Sequence, residues 1–237
     1  MSDEVLVERH GAVQVIIINR PEARNALNGA VAAGVRDAAD ELDADGELRV
    51  GVLTGAGGTF SSGMDLKAFL KGESPSFPGR GLCGITQTPP RKPLIGAAEG
   101  WALAGGFELL LACDLVVAGA GGALILAQRI PRALALEILL TGDPVNAARA
   151  AEIGLVNRVV DEGKALEAAL QLAEKIAANG PLALTATKEI AVGGGDWSAA
   201  ERWDEMVKRV LPVMTSQDAR EGARAFAEKR APVWQGR

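Results

Sequence analysis

Two glycine-containing turns could place unshielded backbone N–H groups at a reactive centre. The first spans 60–67 (FSSGMDLK) and the second spans 100–108 (GWALAGGFE), and each leads into a predicted helix. The N–H groups of a first helical turn have no partner within the helix and lie at the positive end of its dipole. Such a turn can hold an oxyanion. Taken alone, the first turn is better explained as an ordinary helix start with Asp65 in its first turn.

Glu108 is the candidate acid or base beside the second turn. It lies one helical turn after Gly105, next to Phe107 and ahead of Leu109–Leu111. Apolar surroundings disfavour the charged form of a carboxylate, which suits a group that must exchange a proton near neutral pH. A solvent-facing glutamate on an amphipathic helix is the alternative, but three consecutive leucines leave that helix little polar face. We therefore expect Glu108 to lie in apolar surroundings and to perform acid–base chemistry.

The two turns and the acid together indicate one kind of reaction. Backbone donors would polarise a carbonyl oxygen while the acid or base moves a proton at a nearby carbon. A thioester carbonyl suits this arrangement, because its α-protons become acidic once the enolate oxygen is held.

The elements that must position these residues alternate between strand and helix and then become helical. Alternating or apolar β-rich runs predict strands at 5–10, 13–19, 50–54, 94–98, 115–118 and 156–160, the last being the only strand expected after residue 128. Apolar residues at helical spacing predict helices at 26–42, 64–70, 106–112, 133–140, 147–153, 166–178, 182–191, 199–210 and 218–228. This order predicts an α/β fold, with an α/β core at 1–180 and a helical part at 181–237.

The segment 72–93 contains five prolines and is predicted to be a loop outside the core. We expect it to shape a substrate pocket. Cys83 lies in it without a basic neighbour closer than Arg80, so nothing marks this thiol as a nucleophile.

Composition excludes several classes of protein. The chain has 237 residues, 48% of them hydrophobic, and a net charge of −5 without a Lys/Arg cluster, so a nucleic-acid-binding surface is not expected. The single histidine, His10, excludes most zinc sites and makes a Ser-His-Asp triad improbable, and two cysteines cannot form a disulfide framework. The acidic N-terminus has no secretory signal, and glycines interrupt the apolar run at 109–127, so we expect a cytoplasmic protein without a membrane span.

Four motifs resemble those of the crotonase (enoyl-CoA hydratase/isomerase) family. They are 19–28 (NRPEARNALN), 60–66 (FSSGMDL), 100–114 (GWALAGGFELLLACD) and 225–230 (AFAEKR), in family order and over nearly the whole length. Each motif is weak alone, whereas together they are specific. The resemblance implies a spiral of ββα units whose C-terminal helices build trimers, often paired into hexamers.

The resemblance also implies roles for individual residues. The N–H groups of Met64 and Gly105 would form the oxyanion hole for an acyl-CoA thioester, and Glu108 matches one of two catalytic glutamates of hydratases. The positions that match those near coenzyme A are Ala23, Arg24, Ser62, Lys67, Phe226 and Lys229, the last two reaching a neighbouring subunit's ligand. Arg24, Lys67 and Lys229 could equally be solvated surface charges. Asp114 is interpreted as a structural hydrogen-bonding residue.

The resemblance breaks after residue 118. In the family's hydratases a second glutamate follows after a further strand and loop, but here 118–127 runs directly into 128–132 (QRIPR), which resembles the far side of that stretch. Either this segment is deleted from the protein, or the sequence as given leaves out a loop and joins the residues on its two sides. The glycines around 118–123 favour omission, and an intact mass of 24.5 kDa would exclude it.

These observations favour an acyl-CoA enzyme that hydrates a 2-enoyl-CoA to a 3-hydroxyacyl-CoA. No metal and no cofactor are expected, apart from coenzyme A as part of the substrate, and the expected partner is a second copy of the chain in a homotrimer or hexamer. Double-bond isomerisation, which a single acid–base group can perform, is the alternative within the fold. A non-catalytic acyl-CoA-binding protein and an unrelated α/β scaffold with chance matches remain as alternatives of other classes.

Overall fold

The computed structural model describes residues 3–120, 123–124 and 130–237. In chain order the strands are β1 (Val5–His10), β2 (Val13–Ile18), β3 (Val50–Gly55), β4 (Ser76–Phe77), β5 (Gly81–Leu82), β6 (Leu94–Ala98), β7 (Trp101–Ala102), β8 (Leu115–Gly119), β9 (Ala123–Leu124), β10 (Val145–Asn146) and β11 (Arg158–Val160). The helices are α1 (Gly29–Ala44), α2 (Leu66–Leu70), α3 (Gly105–Ala112), α4 (Arg132–Thr141), α5 (Ala147–Glu152), α6 (Ala165–Ala177), α7 (Pro181–Gly193), α8 (Arg202–Met214) and α9 (Gln217–Glu228), with a 3-10 turn at Pro21–Ala23.

A six-stranded sheet forms the centre of the molecule. Its order is β1-β2-β3-β6-β8-β11, and all neighbours are parallel except the β1–β2 hairpin. The central parallel strands β3 and β6 are buried almost throughout, because helices cover both faces. Parallel strands end at one edge of a sheet, so the turns that follow β3 and β6 meet there.

The two faces of the sheet are packed differently. Helix α1 covers one face with large buried side chains such as Val31, Val35 and Leu42. Helix α6 covers the other face with a row of buried alanines four residues apart, at 165, 169, 173 and 177. Side chains this small let α6 lie close to β3, β6 and β8.

The predicted pattern of strands and helices is largely confirmed, with shifted ends. Helix α1 begins at Gly29 rather than at residue 26, because Asn28 caps it by accepting a hydrogen bond from the N–H of Val31 at 2.9 Å. The strand expected at 156–160 begins at Arg158, and the two-residue strands β4, β5, β7, β9 and β10 were missed. Strand β10 pairs with β9, which itself pairs with β7 in a separate three-stranded sheet.

The proline-rich segment 72–93 is not wholly outside the core, and that prediction was wrong. Leu82, Cys83 and Ile85 are buried within the main core cluster. Arg80 connects the segment to α1 by donating two hydrogen bonds to the Asp40 carboxylate, at 2.7 and 2.6 Å. The prolines disfavour long strands here but do not prevent burial. Backbone groups between them form hydrogen bonds in the β4–β5 pair, and the N–H of Leu82 donates to the Thr86 hydroxyl. Burial raises the pKa of the Cys83 thiol to about 12.

The C-terminal helices extend from the sheet, with α8 packed on α7 and α9 on α8. Helix α7 begins after Gly180, the residue at which the two-part division was predicted, and that division stays a prediction. Lys188 of α7 forms an ion pair with Asp114 at 2.7 Å, and Asp114 accepts a hydrogen bond from the N–H of Leu94 at 2.8 Å. The structural role predicted for Asp114 is therefore confirmed.

The chain end folds back onto these helices. Asp218 accepts hydrogen bonds from the N–H groups of Gln235 and Gly236 at 2.7 and 2.9 Å, and the Trp234 indole donates to the carbonyl of Ala178 at 2.7 Å. Across the described residues, no helix combines the length and apolar character needed to cross a membrane.

Candidate active site

The turn after β3 presents the backbone N–H of Met64 without a partner. The N–H of Leu27 donates to the carbonyl of Gly63 at 2.8 Å, and the N–H of Asp65 donates to the carbonyl of Leu27 at 2.9 Å. In a trans peptide the N–H points opposite to the C=O, so the bond from Leu27 to Gly63 turns the Met64 N–H away from Leu27. Within the described part of the chain, this N–H donates no hydrogen bond.

The turn after β6 presents a second unpartnered N–H, at Gly105. Helix α3 begins at this residue, and its first hydrogen bonds come from the N–H of Gly106 to Leu103 at 2.8 Å and from the N–H of Glu108 to Ala104 at 3.0 Å. The N–H of Gly105 has no acceptor among residues 3–120, 123–124 and 130–237. Ala104 just before it has φ 45° and ψ −118°, a backbone conformation that an alanine rarely adopts.

The two N–H groups lie next to each other. A Cβ built on Gly63 would lie 3.2 Å from the Gly105 nitrogen, and a Cβ built on Gly105 would lie 3.7 Å from the Met64 nitrogen. A Cβ on Gly63 would also lie 2.8 Å from the carbonyl oxygen of Leu103, so glycine at residue 63 is what allows the two turns to approach. The pair stands beyond the carboxyl ends of β3 and β6, at the edge of the sheet where ligands bind in open α/β folds. Their arrangement suits the negative charge that develops on a carbonyl oxygen.

Glu108 lies on α3 one turn after Gly105, but its surroundings differ from the prediction. Phe107, Leu109 and Leu110 are buried, whereas Glu108 is exposed. Successive helical residues point about 100° apart, so the helix directs its apolar residues into the core and Glu108 away from it. The expectation that Glu108 would be surrounded by its apolar neighbours was wrong, while its place on the same helix start as Gly105 is as predicted.

Asp65 holds the first turn in place. Its side chain accepts hydrogen bonds from the N–H groups of Lys67 and Ala68 at 3.0 and 3.1 Å, and so caps α2. Arg20 donates to the same carboxylate at 3.0 Å. The N–H of Ala68 first, and Arg20 after it, hold the pKa of Asp65 below its usual value. The carboxylate is therefore a structural anion rather than a proton carrier.

Most of the predicted coenzyme A positions lie around the first turn. The N–H of Ser62 donates to the carbonyl of Arg24 at 2.9 Å, which places Ala23 and Arg24 beside the Met64 turn. Lys67 is exposed on α2, three residues beyond Met64. Neither Arg24 nor Lys67 forms an ion pair with another described residue. Within the described ranges, two cationic side chains near the paired N–H groups are thus without an ion-pair partner.

Phe226 and Lys229 lie apart from this cluster. They are at the C-terminal end of α9, whose main contact is with α8. The Phe226 side chain is 88% exposed, and Lys229 adopts a left-handed conformation with φ 53°. Their predicted role, contact with a ligand of a neighbouring subunit, stays a prediction.

Three residues that support the turns were not singled out from the sequence. The Arg20 guanidinium donates a hydrogen bond to the carbonyl of Ala26 at 2.6 Å and another to the Asp65 carboxylate at 3.0 Å. The buried side-chain amide of Asn25 donates to the carbonyls of Ala56 and Thr59 at 2.8 and 2.6 Å, and Ser61 donates to the carbonyl of Asn25 at 2.8 Å. Arg20 and Asn25 lie in the motif 19–28 and Ser61 in the motif 60–66. The motifs therefore included these residues, but the sequence did not show which groups they contact.

The described residues offer no group of three or more His, Cys, Asp or Glu side chains that could hold a metal ion. Within the predicted break at 118–128, residues 121, 122 and 125–128 lie outside the described residues.

Comparison with known proteins identifies the family. The family model for enoyl-CoA hydratase/isomerase matches residues 8–237. The chain is 41% identical to the enoyl-CoA hydratase EchA19 of Mycobacterium tuberculosis, over 99% of this chain and 97% of the relative, and 37% identical to a carnitinyl-CoA dehydratase of Salmonella typhi over the whole of both. A crystal structure of an enoyl-CoA hydratase from Mycobacterium tuberculosis H37Rv superimposes with a TM-score of 0.96 at 51% identity, covering 100% of both chains. The chain belongs to the enoyl-CoA hydratase/isomerase family, and the predicted α/β crotonase fold is confirmed.

The chain is shorter than these two curated relatives within the matched region. Both alignments extend over 262 positions, whereas this chain has 237 residues, so at least 25 positions are filled by the relative alone. That these positions fall after residue 118 stays a prediction.

Proposed function

We propose that this chain is an acyl-CoA enzyme that hydrates a 2-enoyl-CoA to a 3-hydroxyacyl-CoA. The N–H groups of Met64 and Gly105 bind the thioester oxygen, and Glu108 handles the proton. Relatives named enoyl-CoA hydratase and carnitinyl-CoA dehydratase support this reaction class.

The observation that carries the proposal is the pair of adjacent, unpartnered N–H groups. As the oxygen of water attacks C3, the electrons of the C2=C3 bond move towards the thioester and negative charge develops on its oxygen. Fixed donors that meet this charge lower the barrier, because they need no reorganisation during the reaction. The strained Ala104 keeps the Gly105 N–H in place for this purpose.

Glu108 supplies the proton chemistry in this scheme. As a carboxylate it accepts a proton from the attacking water while the C–O bond forms at C3. The resulting carboxylic acid then gives that proton to C2, which restores the carboxylate and completes the addition of water. Its position one turn after Gly105 on the same rigid helix fixes its relation to the bound oxygen.

The cations Arg24 and Lys67 support recognition of the coenzyme. Phosphates of coenzyme A require positive charge, and both side chains lie next to the turn that would hold the thioester. Ala23 and Ser62 complete this proposed binding strip. Leu82 of the proline-rich segment approaches Gly105, since a Cβ there would lie 3.0 Å from its Cδ2, so this segment is placed to border the acyl group.

A panel of 2-enoyl-CoA thioesters of different chain length tests the proposal. We expect loss of the conjugated enoyl absorbance and a product heavier by one water in mass spectrometry. A wild-type protein that neither consumes nor binds any thioester would contradict the proposal.

Double-bond isomerisation is the second candidate. It is favoured by the shorter chain and by α3, which carries a single carboxylate, because one acid–base group can move a proton from one carbon to another without placing a water molecule. The same panel distinguishes the two reactions, since an isomerised product keeps the mass of its substrate. A protein that only binds acyl-CoA would show affinity without either product.

We also propose that the chain assembles as a homotrimer or a hexamer and acts in the cytoplasm without a metal or a separate cofactor. The support for assembly is helix α8, which buries none of its residues in the single chain. Its apolar residues Trp203, Val207, Leu211 and Met214 form one exposed row at helical spacing. Phe226 and Lys229 on the next helix would then reach a neighbour's ligand.

A further inference from the structure

We propose that Ser61 is a positioning residue that sets the spacing between the Met64 and Gly105 N–H groups. This role rests on the proposed function of those groups. Ser61 itself does not reach the substrate, because it is 0% exposed.

The side chain of Ser61 controls the Met64 turn. Its hydroxyl donates to the carbonyl of Asn25 at 2.8 Å and accepts from the N–H of Gly63 at 3.1 Å. Gly63 provides the carbonyl half of the peptide that carries the Met64 N–H. Asn25 lies two residues before Leu27, whose N–H orients that same peptide. The hydroxyl therefore fixes both segments that determine where the Met64 N–H points.

The main chain of Ser61 controls the Gly105 turn. Its N–H donates to the carbonyl of Trp101 at 3.0 Å, and its carbonyl accepts from the N–H of Leu103 at 3.0 Å. The start of α3 rests directly on it, since a Cβ on Gly106 would lie 2.6 Å from the Ser61 carbonyl oxygen and 2.7 Å from its Cβ. One residue is thus bonded to both turns, through its side chain to one and through its backbone to the other.

This division of contacts predicts what loss of the hydroxyl does. The backbone bonds to Trp101 and Leu103 remain, so the Gly105 N–H stays in place. The Asn25 carbonyl and the Gly63 N–H lose their buried partner, and the Met64 N–H is freed to move relative to Gly105. Since the two donors act mainly on the charge of the transition state, kcat should fall while KM changes little.

The experiment compares Ser61→Ala and Ser61→Cys with the matched control Thr54→Val. Thr54 is also buried and donates one hydrogen bond, to the carbonyl of Ala97 at 2.9 Å between β3 and β6, and its side chain is not bonded to either turn among the described residues. For each protein we would measure kcat and KM with a 2-enoyl-CoA, the thermal midpoint, and the absorbance shift of cinnamoyl-CoA on binding, which reports polarisation of its carbonyl.

We expect Ser61→Ala to lower kcat roughly three- to tenfold and to diminish the cinnamoyl-CoA shift, with KM within about twofold of wild type. Ser61→Cys should fall between Ser61→Ala and wild type, because a thiol is a weaker donor and acceptor than a hydroxyl. Thr54→Val should lower the thermal midpoint while kcat and the absorbance shift stay unchanged.

Three results would overturn the role of Ser61. One is an unchanged kcat and absorbance shift in Ser61→Ala, and another is an equal loss of both in Thr54→Val, which would make the effect one of general stability. If Ser61→Ala does not fold, a Ser61→Cys protein with wild-type kcat and shift would overturn it in the same way. A wild-type protein without turnover and without a cinnamoyl-CoA shift would instead defeat the proposed function, and this role with it.

Discussion

Ala104 shows how a single residue stores strain beside a reactive centre. Its φ of 45° with ψ of −118° costs on the order of 1–3 kcal/mol for a residue with a Cβ, and the surrounding bonds must maintain it. The bonds from Gly106 to Leu103 and from Glu108 to Ala104 do so from the helix side. The Gly105 N–H that follows this strained residue lies near Met64 and has no acceptor among the described residues.

Glu108→Gln tests the acid at the residue scale. The amide keeps the shape of the side chain but cannot accept and return a proton, so kcat should fall by about 10²–10⁴-fold. Affinity for a non-reactive acyl-CoA, measured by calorimetry, should stay within about twofold, because the Glu108 side chain is exposed and forms no hydrogen bond with another described residue.

The control is Glu137→Gln, an exposed glutamate on α4, whose kinetics should equal those of wild type. Full activity in Glu108→Gln would remove Glu108 from the proton chemistry.

Individual site residues were predictable from the sequence to different degrees. The glycines before helices marked two turns with exposed backbone N–H groups, because that signal is local, and the family resemblance then pointed to Met64 and Gly105 within them. The environment of Glu108 was not predictable, since it depends on which face of α3 meets the sheet. Arg20 and Ser61 gain their roles from partners about 40 positions away in the chain, Asp65 and Asn25, which no local pattern reveals.

At the scale of elements, the contact between the α3 start and the Met64 turn depends on Gly106. A Cβ at this position would lie within 2.7 Å of Ser61 atoms, including its backbone carbonyl oxygen at 2.6 Å, so α3 would have to move. Gly106→Ala should therefore lower the free energy of unfolding by about 1–3 kcal/mol, measured by urea denaturation.

Gly46→Ala is the matched control. No atom lies within 4 Å of a Cβ built there, so this variant should unfold at the same urea concentration or slightly above it. Equal stability of Gly106→Ala and wild type would show that α3 does not rest on Ser61.

The order of elements was predictable because periodicity is a local property, and all six predicted strands agree with the structure within two residues at each end. The burial of Leu82, Cys83 and Ile85 was not predictable, because prolines at this density are typical of surface loops. No local sequence pattern shows that these side chains pack into the core. The two-residue strands β4, β5, β7, β9 and β10 were missed because two residues are too few to show an alternating pattern.

At the scale of the whole molecule, the exposed row on α8 predicts assembly. Trp203 and Met214 are 69% and 70% exposed in the single chain, and such a row is costly to leave in water. Leu211→Glu places a charge in the middle of the row and should convert the assembly to a single chain of 24.5 kDa, measured by sedimentation velocity.

Lys208→Ala changes the net charge by the same amount on the neighbouring face of α8 and should leave the assembly intact. A wild-type protein that already sediments as a single chain would contradict the proposed assembly.

The burial of both cysteines has a practical consequence for that assembly. Cys83 and Cys113 are 0% exposed, so maleimide reagents will not reach either thiol in the folded protein. With its pKa raised by burial to about 12, the Cys83 thiol is also almost wholly protonated at neutral pH and therefore a poor nucleophile. A cysteine introduced at an exposed position such as Arg220 would then be the one site that takes a spin label. Distances between labels on different copies would report how the copies are arranged around one another.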